Sequence, residues 1–187
     1  VTDEIEFMLT LGFKEIHIVD DGFTTDMKRA EMICDEIIKR GLRFPWATVT
    51  GIRADMVNLG LLKKMRQAGC YRVYYGIESG NQQILDGFGK GETLEDIRKA
   101  VKESRQAGLE VYGFFMLALP GETEETMRDT LNFAKELDLD MAKATITLPL
   151  PATPFYEELE EKGLIKTKDW SKYNTYVPAR EVYTHPT

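Results

Sequence analysis

Residues 71–80, YRVYYGIESG, combine a run of strand-forming residues with a carboxylate and a hydroxyl that follow directly. Aromatic and β-branched residues are typical of a buried strand, which is predicted to span residues 71–77. Glu78 and Ser79 then lie at the strand tip, where a carboxylate can accept hydrogen bonds from an amine or from hydroxyl groups. A surface turn that carries a charge is the alternative, and this stretch alone fits both interpretations.

Polar groups and proline-rich turns also follow four other predicted strands. These tips are residues 20–22 (DDG), 50–53 (TGIR), 118–122 (ALPGE) and 148–151 (LPLP). Carboxylates can bind an amine, and the guanidinium fork of Arg53 can bind a carboxylate. If the tips converge on one rim, they suit a polar ligand that carries both groups.

Each tip also has a purely structural interpretation. Asp20 or Asp21 can cap the helix that follows. Arg53 can pair with the neighbouring Asp55 at the surface. The LPGET turn can begin a helix capped by Thr123, with acidic residues in the first turn favouring the helix dipole.

A recurring pattern of helix, glycine and strand predicts the elements that position these tips. The predicted strands are residues 15–20, 45–50, 71–77, 110–118 and 143–148. The predicted helices are residues 26–40, 55–68, 81–86, 93–107, 123–137 and 154–162, after an N-terminal helix capped by Thr2 or Asp3. Near-continuous apolar strands are typical of a parallel sheet covered by helices.

The fold class is therefore predicted to be α/β, a partial TIM-type (β/α) barrel of about five to six parallel strands with outer helices. A flat doubly wound sheet is the alternative. In both architectures the strand tips form the site. We expect a single domain over residues 1–187, with a C-terminal extension from about residue 163.

Composition excludes several classes of function. The net charge is −7, and the lysines and arginines are scattered among acidic residues without forming a basic stripe. This distribution disfavours binding to nucleic acid. The apolar runs are too short to cross a membrane and no signal-peptide pattern opens the chain, so we expect a cytoplasmic location. Cys34 and Cys70 lack the spacing of a metal site and are predicted to be small buried hydrophobes.

Five segments, in order, resemble the motifs of the radical S-adenosylmethionine (SAM) barrel. The segments are IHIVDDGFT, GIRAD, YYGIESGNQQILDGFGKGET, FFMLALPGETEET and LPLPATPFYEEL. The strongest likeness is to the subgroup with a cobalamin-binding domain, which contains anaerobic magnesium-protoporphyrin monomethyl ester oxidative cyclases and methylases of unactivated carbon. The likeness runs from about residue 2 to about residue 177.

The resemblance implies SAM and a 4Fe–4S cluster as cofactors, with cobalamin in the parent protein. The family's CxxxCxxC loop follows the first barrel strand, and that region would precede Val1; neither Cys34 nor Cys70 matches it. We therefore expect a partial core that lacks the first strand and is inactive alone. The implied function is generation of a 5′-deoxyadenosyl radical for oxidative cyclisation or methylation of an unactivated carbon.

The resemblance also implies cofactor-binding roles for particular residues. Glu78, with the adjoining Ser79, matches the position that approaches the ribose or methionine part of SAM. The acidic tip, residues 20–22, matches the site that receives the SAM amine. Asp20 is favoured over Asp21 for this role. Arg53 matches a basic position for the SAM carboxylate. The apolar edges that hold adenine match Met116, Leu119 and Leu148.

Three alternatives stay open. The tRNA methylthiotransferases share the barrel but usually carry an acidic residue where this chain has GFFMLALPG. A non-radical barrel enzyme and a non-catalytic interaction module are the others. The expected partner is a small-molecule substrate that the residues do not specify. Without a preceding strand, the edge at residues 15–20 is also predicted to mediate self-association.

Overall fold

The computed structural model describes residues 1–87 and 89–186, and within them five parallel strands form one sheet. The strands are β1 (Ile16–Ile18), β2 (Trp46–Thr48), β3 (Cys70–Glu78), β4 (Glu110–Leu117) and β5 (Met141–Ile146). Their order in the sheet is their order in the chain, so each strand is added beside the previous one. A doubly wound sheet would instead reverse at a switch point. The prediction of an α/β fold of the barrel type is confirmed.

Helices connect the strands and cover one face of the sheet. They are α1 (Thr2–Thr10), α2 (Met27–Lys39), α3 (Leu59–Gln67), α4 (Gln82–Gly87), α5 (Leu94–Gln106), α6 (Glu124–Glu136) and α7 (Pro154–Glu161). Most predicted ends agree to within three residues. The helix predicted over residues 55–68 is divided, because Asn58 accepts a hydrogen bond from the backbone N–H of Leu61 at 2.9 Å and starts α3 there.

Two predicted caps are wrong. Helix α1 follows Val1 without a side-chain cap, and Asp3 instead pairs at 2.6 Å with Arg40, the residue that follows α2. Helix α2 is capped by Asp26, which accepts from the backbone N–H of Arg29 at 3.0 Å. Asp20 and Asp21 are therefore not required as caps.

Strand β3 shows how the sequence positions the rim. Val73, Tyr75 and Ile77 are fully buried, while the alternate residues are partly exposed on the other face. The Tyr75 hydroxyl shares a hydrogen bond of 2.8 Å with the hydroxyl of Ser104 on α5. Burial of each such side chain contributes about 1.5–3 kcal/mol, so the helices fix the strand and the position of its tip.

The segment predicted as a C-terminal extension packs at the end of β5. Val182 and Tyr183 form a small second core with Phe155 and Leu159 of α7. The Tyr183 hydroxyl donates to the carbonyl oxygen of Thr147 at 2.8 Å. The extension therefore supports the tip of β5.

At the other edge, β1 pairs only with β2 within residues 1–87 and 89–186. Self-association through this edge stays a prediction. Among the described helices, none combines the length and the apolar character that a membrane span requires.

Candidate functional site

The tip of β3 places Glu78 against a lysine that lies twelve residues further along the chain. The backbone of Glu78 has a φ of 66°, a left-handed conformation that favours glycine and marks a local constraint. The Lys90 ammonium lies 3.3 Å from the Glu78 carboxylate and donates to the carbonyl oxygen of Gly76 at 2.5 Å. Glu78 therefore lies on the rim, as predicted, with an ammonium partner that the sequence analysis did not assign.

Glu92 is the buried centre of the same cluster. One carboxylate oxygen accepts from the backbone N–H of Ala54 at 2.8 Å, and the other lies 3.7 Å from the Lys90 ammonium. The side chain is 0% exposed, and burial raises the pKa of Glu92 although Lys90 opposes the shift. Arg53 approaches the same carboxylate at 3.8 Å.

Arg53 is held by its neighbour as the structural interpretation proposed. Its guanidinium donates two hydrogen bonds to Asp55, at 2.9 and 2.8 Å, and a third to the Lys90 carbonyl at 2.9 Å. In this arrangement the fork is occupied, so binding a ligand carboxylate would require Arg53 to exchange partners. We call Arg53, Asp55, Glu78, Lys90 and Glu92 the ionic half of the rim.

Two glycines, Gly51 and Gly76, form a close-packed backbone floor beneath the ionic half. A Cβ added to Gly51, whose φ is 93°, would lie 3.3 Å from the Gly76 nitrogen and 3.8 Å from the ring of Phe114. A Cβ on Gly76 would lie 2.9 Å from the Glu78 carboxylate. A side chain on Gly51 would press on the backbone of Gly76, and one on Gly76 would displace Glu78 and Lys90. The floor, the carboxylate and the ammonium thus fit a ligand with amine, carboxylate and hydroxyl groups.

The acidic tip after β1 contains two different carboxylates. Asp20 accepts from the backbone N–H of Gly22 at 2.9 Å and lies 3.4 Å from the Arg29 guanidinium. Asp21 is exposed and has no hydrogen-bond partner within the described part of the chain. Asp20 is close to the sheet, because its carbonyl accepts from the Thr50 hydroxyl at 2.6 Å.

Ser79 lies away from the rim. Its side chain is 0% exposed, and its hydroxyl shares a hydrogen bond of 3.1 Å with Thr130 of α6. This arrangement gives the hydroxyl no access to a ligand. Ser79 instead fixes the β3 tip to α6, where Gly80 also donates its backbone N–H to Thr130 at 3.0 Å.

The tips of β4 and β5 form an apolar half of the rim, residues 116–122 and 147–151. Met116 and Leu148 are partly buried, whereas Leu119 is 1% exposed and can meet a ligand only through its backbone. Glu122 is 0% exposed and accepts from the backbone N–H of Leu119 at 2.9 Å. Burial raises the pKa of Glu122. The backbone hydrogen bonds to its carboxylate and the nearby His185 favour the charged form and oppose this shift.

The sequence analysis missed Lys90 and Glu92 as site residues. Both lie in residues 86–92, DGFGKGE, of which Phe88 is outside the described residues. This segment makes the third spacing between the repeated glycines, from Gly69 to Gly108, longer than the others, and that added length was the available signal. The segment follows α4, and Lys90 returns from it to the tip of β3.

The two cysteines do not fit a 4Fe–4S cluster. Cys34 and Cys70 are both buried. Burial raises the pKa of the Cys34 thiol to about 12, and it raises the pKa of the Cys70 thiol by more. Cluster ligands are thiolates, which a buried thiol with a raised pKa does not supply. Within the described residues no group of three or more histidine, cysteine or acidic side chains could hold a metal ion.

Comparison with known proteins gives a family match and several similar proteins. The family model for the radical SAM superfamily matches residues 1–134. An uncharacterised methyltransferase of Pyrococcus horikoshii is 39% identical over 171 residues, which cover 91% of this chain and 37% of that protein. The anaerobic magnesium-protoporphyrin IX monomethyl ester cyclase of Cereibacter sphaeroides is 31% identical over 183 residues, covering 95% of this chain and 29% of the cyclase.

A solved structure shows the same architecture. It is the radical SAM methyltransferase TsrM from Kitasatospora setae with cobalamin and a 4Fe–4S cluster bound, at 25% identity and a TM-score of 0.77. The match covers 87% of this chain and 33% of TsrM, and the chain spans about a third of the length of the relatives it matches. The chain belongs to the radical SAM superfamily.

Proposed function

We propose that this chain is the SAM-binding core of a radical SAM enzyme that methylates, or oxidatively cyclises, an unactivated carbon with the help of cobalamin. The observation that carries the proposal is the Glu78–Lys90 pair above the floor of Gly51 and Gly76. An anion and a cation beside a backbone floor without side chains complement a zwitterionic ligand with ribose hydroxyls.

The residues of this chain bind and orient the ligand. When SAM and a reduced 4Fe–4S cluster are bound, cleavage of the carbon–sulfur bond supplies a 5′-deoxyadenosyl radical. Glu78 is proposed to accept hydrogen bonds from the ribose or methionine part. Lys90 is proposed to face the SAM carboxylate, a role that the sequence analysis gave to Arg53.

The remaining rim residues complete the proposed site. Asp20 and Asp21 provide carboxylates for the SAM amine, with Asp21 exposed and Asp20 held by Arg29. Met116, Leu148 and the backbone at Leu119 provide the apolar edge for adenine. A ligand held along this rim is oriented before reaction, which is how protein scaffolds contribute to chemistry supplied by a cofactor.

Cobalamin and the type of reaction are proposed from the relatives. TsrM is a methyltransferase with cobalamin bound, and the Cereibacter sphaeroides protein is a cyclase. Methylthiolation is the second candidate, and the apolar GFFMLALPG segment, without an acidic residue, favours methylation or cyclisation over it. The same proposal includes cluster ligands that lie outside this chain and a cytoplasmic location.

The test is the Glu78→Gln substitution in the intact protein that contains this chain, with its cluster reconstituted. Loss of a hydrogen bond to a charged group costs about 1.5–3 kcal/mol, so SAM affinity or cleavage should fall about ten-fold or more. Calorimetric titration with SAM and release of 5′-deoxyadenosine are the measurements. The melting temperature should stay nearly unchanged, because Glu78 lies at a strand tip.

The matched control is Glu125→Gln, which removes an exposed carboxylate from the first turn of α6. This variant should bind and cleave SAM like the wild type. If Glu78→Gln also behaves like the wild type, or if it unfolds the protein, Glu78 is a structural residue and the proposed site is wrong.

A further inference from the structure

The ionic half of the rim contains more carboxylates than cations. Arg53 and Lys90 are its cations, and Asp55, Glu78 and Glu92 are its carboxylates. When every group is charged, two positive and three negative charges leave a net charge of −1. A ligand carboxylate that binds to Lys90 adds a fourth negative group to this cluster. The charge balance of the site must therefore change when such a ligand binds.

Glu92 is the carboxylate of this cluster that cannot turn toward water. Its side chain is 0% exposed, whereas those of Glu78 and Asp55 are 20% and 23% exposed. One oxygen, Oε1, accepts from the backbone N–H of Ala54 at 2.8 Å. The other, Oε2, lies 3.7 Å from the Lys90 ammonium and makes no hydrogen bond within the described residues. Oε2 is therefore available to carry a proton.

Asp55 is a second carboxylate that interacts directly with Glu92. Burial raises the pKa of Glu92; Lys90 opposes this shift, and the interaction with Asp55 adds to it. Burial also acts to raise the pKa of Asp55, but hydrogen bonds from Arg53 and the interaction with Glu92 lower it. When two carboxylates share one site, one of them holds a proton more readily than the other. Asp55 stays ionised beside Arg53, so the proton belongs on Glu92.

The other groups around the cluster do not compete for this proton. Tyr75 of β3 faces Glu92 from the sheet, and burial raises the pKa of its phenol, so it stays neutral near pH 7. Gln82 of α4 donates to the carbonyl oxygen of Glu92 at 3.2 Å and does not titrate. Glu78 pairs with Lys90 at 3.3 Å and keeps contact with water. Glu92 is therefore the best proton acceptor of the cluster.

We propose that Glu92 takes up one proton from the solvent when a ligand carboxylate binds to Lys90, and returns it when the ligand leaves. This inference rests on the proposed function, because it takes the SAM carboxylate as the partner of Lys90, and it adds a proton-linked control of that site. Lys90 exchanges Glu92 for the ligand, and the new O–H bond at Oε2 removes a buried charge that Lys90 no longer balances. A neutral carboxyl group costs less in a buried position than an unpaired carboxylate.

This linkage fixes how SAM affinity depends on pH. The pKa of Glu92 is higher in the liganded protein than in the unliganded protein, because the ligand carboxylate is a like charge. SAM affinity is then greatest below the unliganded pKa and falls as the pH rises through the window between the two values. With one linked proton the fall approaches about ten-fold per pH unit. Glu92→Gln resembles the protonated side chain and cannot titrate, so its affinity should fall less steeply and should equal or exceed that of the wild type at the upper end of the window.

The test is calorimetric titration of the intact reconstituted protein with SAM, at several pH values and in two buffers that differ in ionisation enthalpy. The buffer dependence of the observed enthalpy counts the protons exchanged on binding. Protons exchanged by SAM itself are common to all variants, so the difference between the wild type and Glu92→Gln isolates Glu92. The wild type should take up up to one proton more than Glu92→Gln. The exposed Glu125→Gln should match the wild type.

Infrared difference spectra give a second readout, which needs only the wild type. Binding of SAM should produce the C=O stretch of a protonated carboxyl group in the wild type, and Glu92→Gln should lack this band. Absence of the band from the wild type would overturn the inference even if Glu92→Gln did not fold.

The outcomes distinguish this inference from the proposed function. Equal proton exchange in the wild type and Glu92→Gln, or weaker binding by Glu92→Gln at every pH with the wild-type slope, would make Glu92 a structural residue and leave the SAM core standing. If the intact reconstituted protein fails to bind SAM, the proposed function itself fails.

Discussion

The ionic and apolar halves of the rim each contain one buried glutamate, and the two are held by different groups. Glu92 accepts from the backbone N–H of Ala54 and also lies near the side chains of Lys90 and Arg53, at 3.7 and 3.8 Å. Glu122 accepts from the backbone N–H of Leu119. Both glutamates thus hold a main-chain N–H group, and Glu92 in addition holds the lysine and the arginine of the ionic half.

This difference bears on what each half can do when a ligand arrives. Lys90 and Arg53 have several acidic neighbours, so they can exchange partners with a charged ligand. The main chain around Ala118, at a φ of 61°, is fixed by Glu122 and offers a constant apolar edge. The ionic half therefore suits the charged end of a ligand, and the apolar half suits a flat ring.

The comparison is tested most strongly by Glu92→Ala. Removing one member of a buried ionic cluster leaves uncompensated charge, which typically costs 3–5 kcal/mol, so the free energy of unfolding should fall by about 3 kcal/mol. Urea unfolding is the measurement. Glu92→Gln keeps an acceptor for Ala54 but removes the charge, and it should lose less; a free energy of unfolding for Glu92→Gln equal to that of the wild type would mean that the charge of Glu92 has no structural role.

A smaller loss is expected for Glu122→Ala. The buried N–H of Leu119 would lose its acceptor, and an unsatisfied buried donor costs about 1–3 kcal/mol, so we expect a loss of about 2 kcal/mol. Glu122→Gln retains the acceptor and should lie near the wild type in urea unfolding. A loss from Glu122→Ala as large as that from Glu92→Ala would contradict the distinction between the two halves.

The sequence predicts the position of the rim better than the partners within it. Glu78 follows an alternating strand whose buried residues are evident from residue type, so its place at a tip was predictable. Lys90 and Glu92 reach the same tip from an insertion, and periodicity says nothing about where an insertion folds. Ser79 was assigned to the site because it adjoins Glu78, but it lies beyond the end of β3, and its hydroxyl bonds to Thr130 of α6.

Arg53 and Glu122 show a second limit of local patterns. The pairing of Arg53 with Asp55 was foreseen as an alternative, and only the three-dimensional arrangement shows that Lys90 and Glu92 join it. For Glu122, the LPGET motif indicated a turn into a helix. The complete burial of its carboxylate depends on packing against distant residues, including the C-terminal segment.

The smallest expected effect concerns pH, because it involves proton binding by one group. Burial raises the pKa of Glu122 above its usual value of 4.5, so between that value and the raised pKa the folded state binds more protons than the unfolded state. The free energy of unfolding should therefore fall as pH rises through this window. Glu122→Gln cannot titrate and should show a shallower fall in urea unfolding from pH 4.5 upward. The exposed Glu125→Gln should keep the wild-type slope; an unchanged slope in Glu122→Gln would show that the folded state binds no additional proton at Glu122.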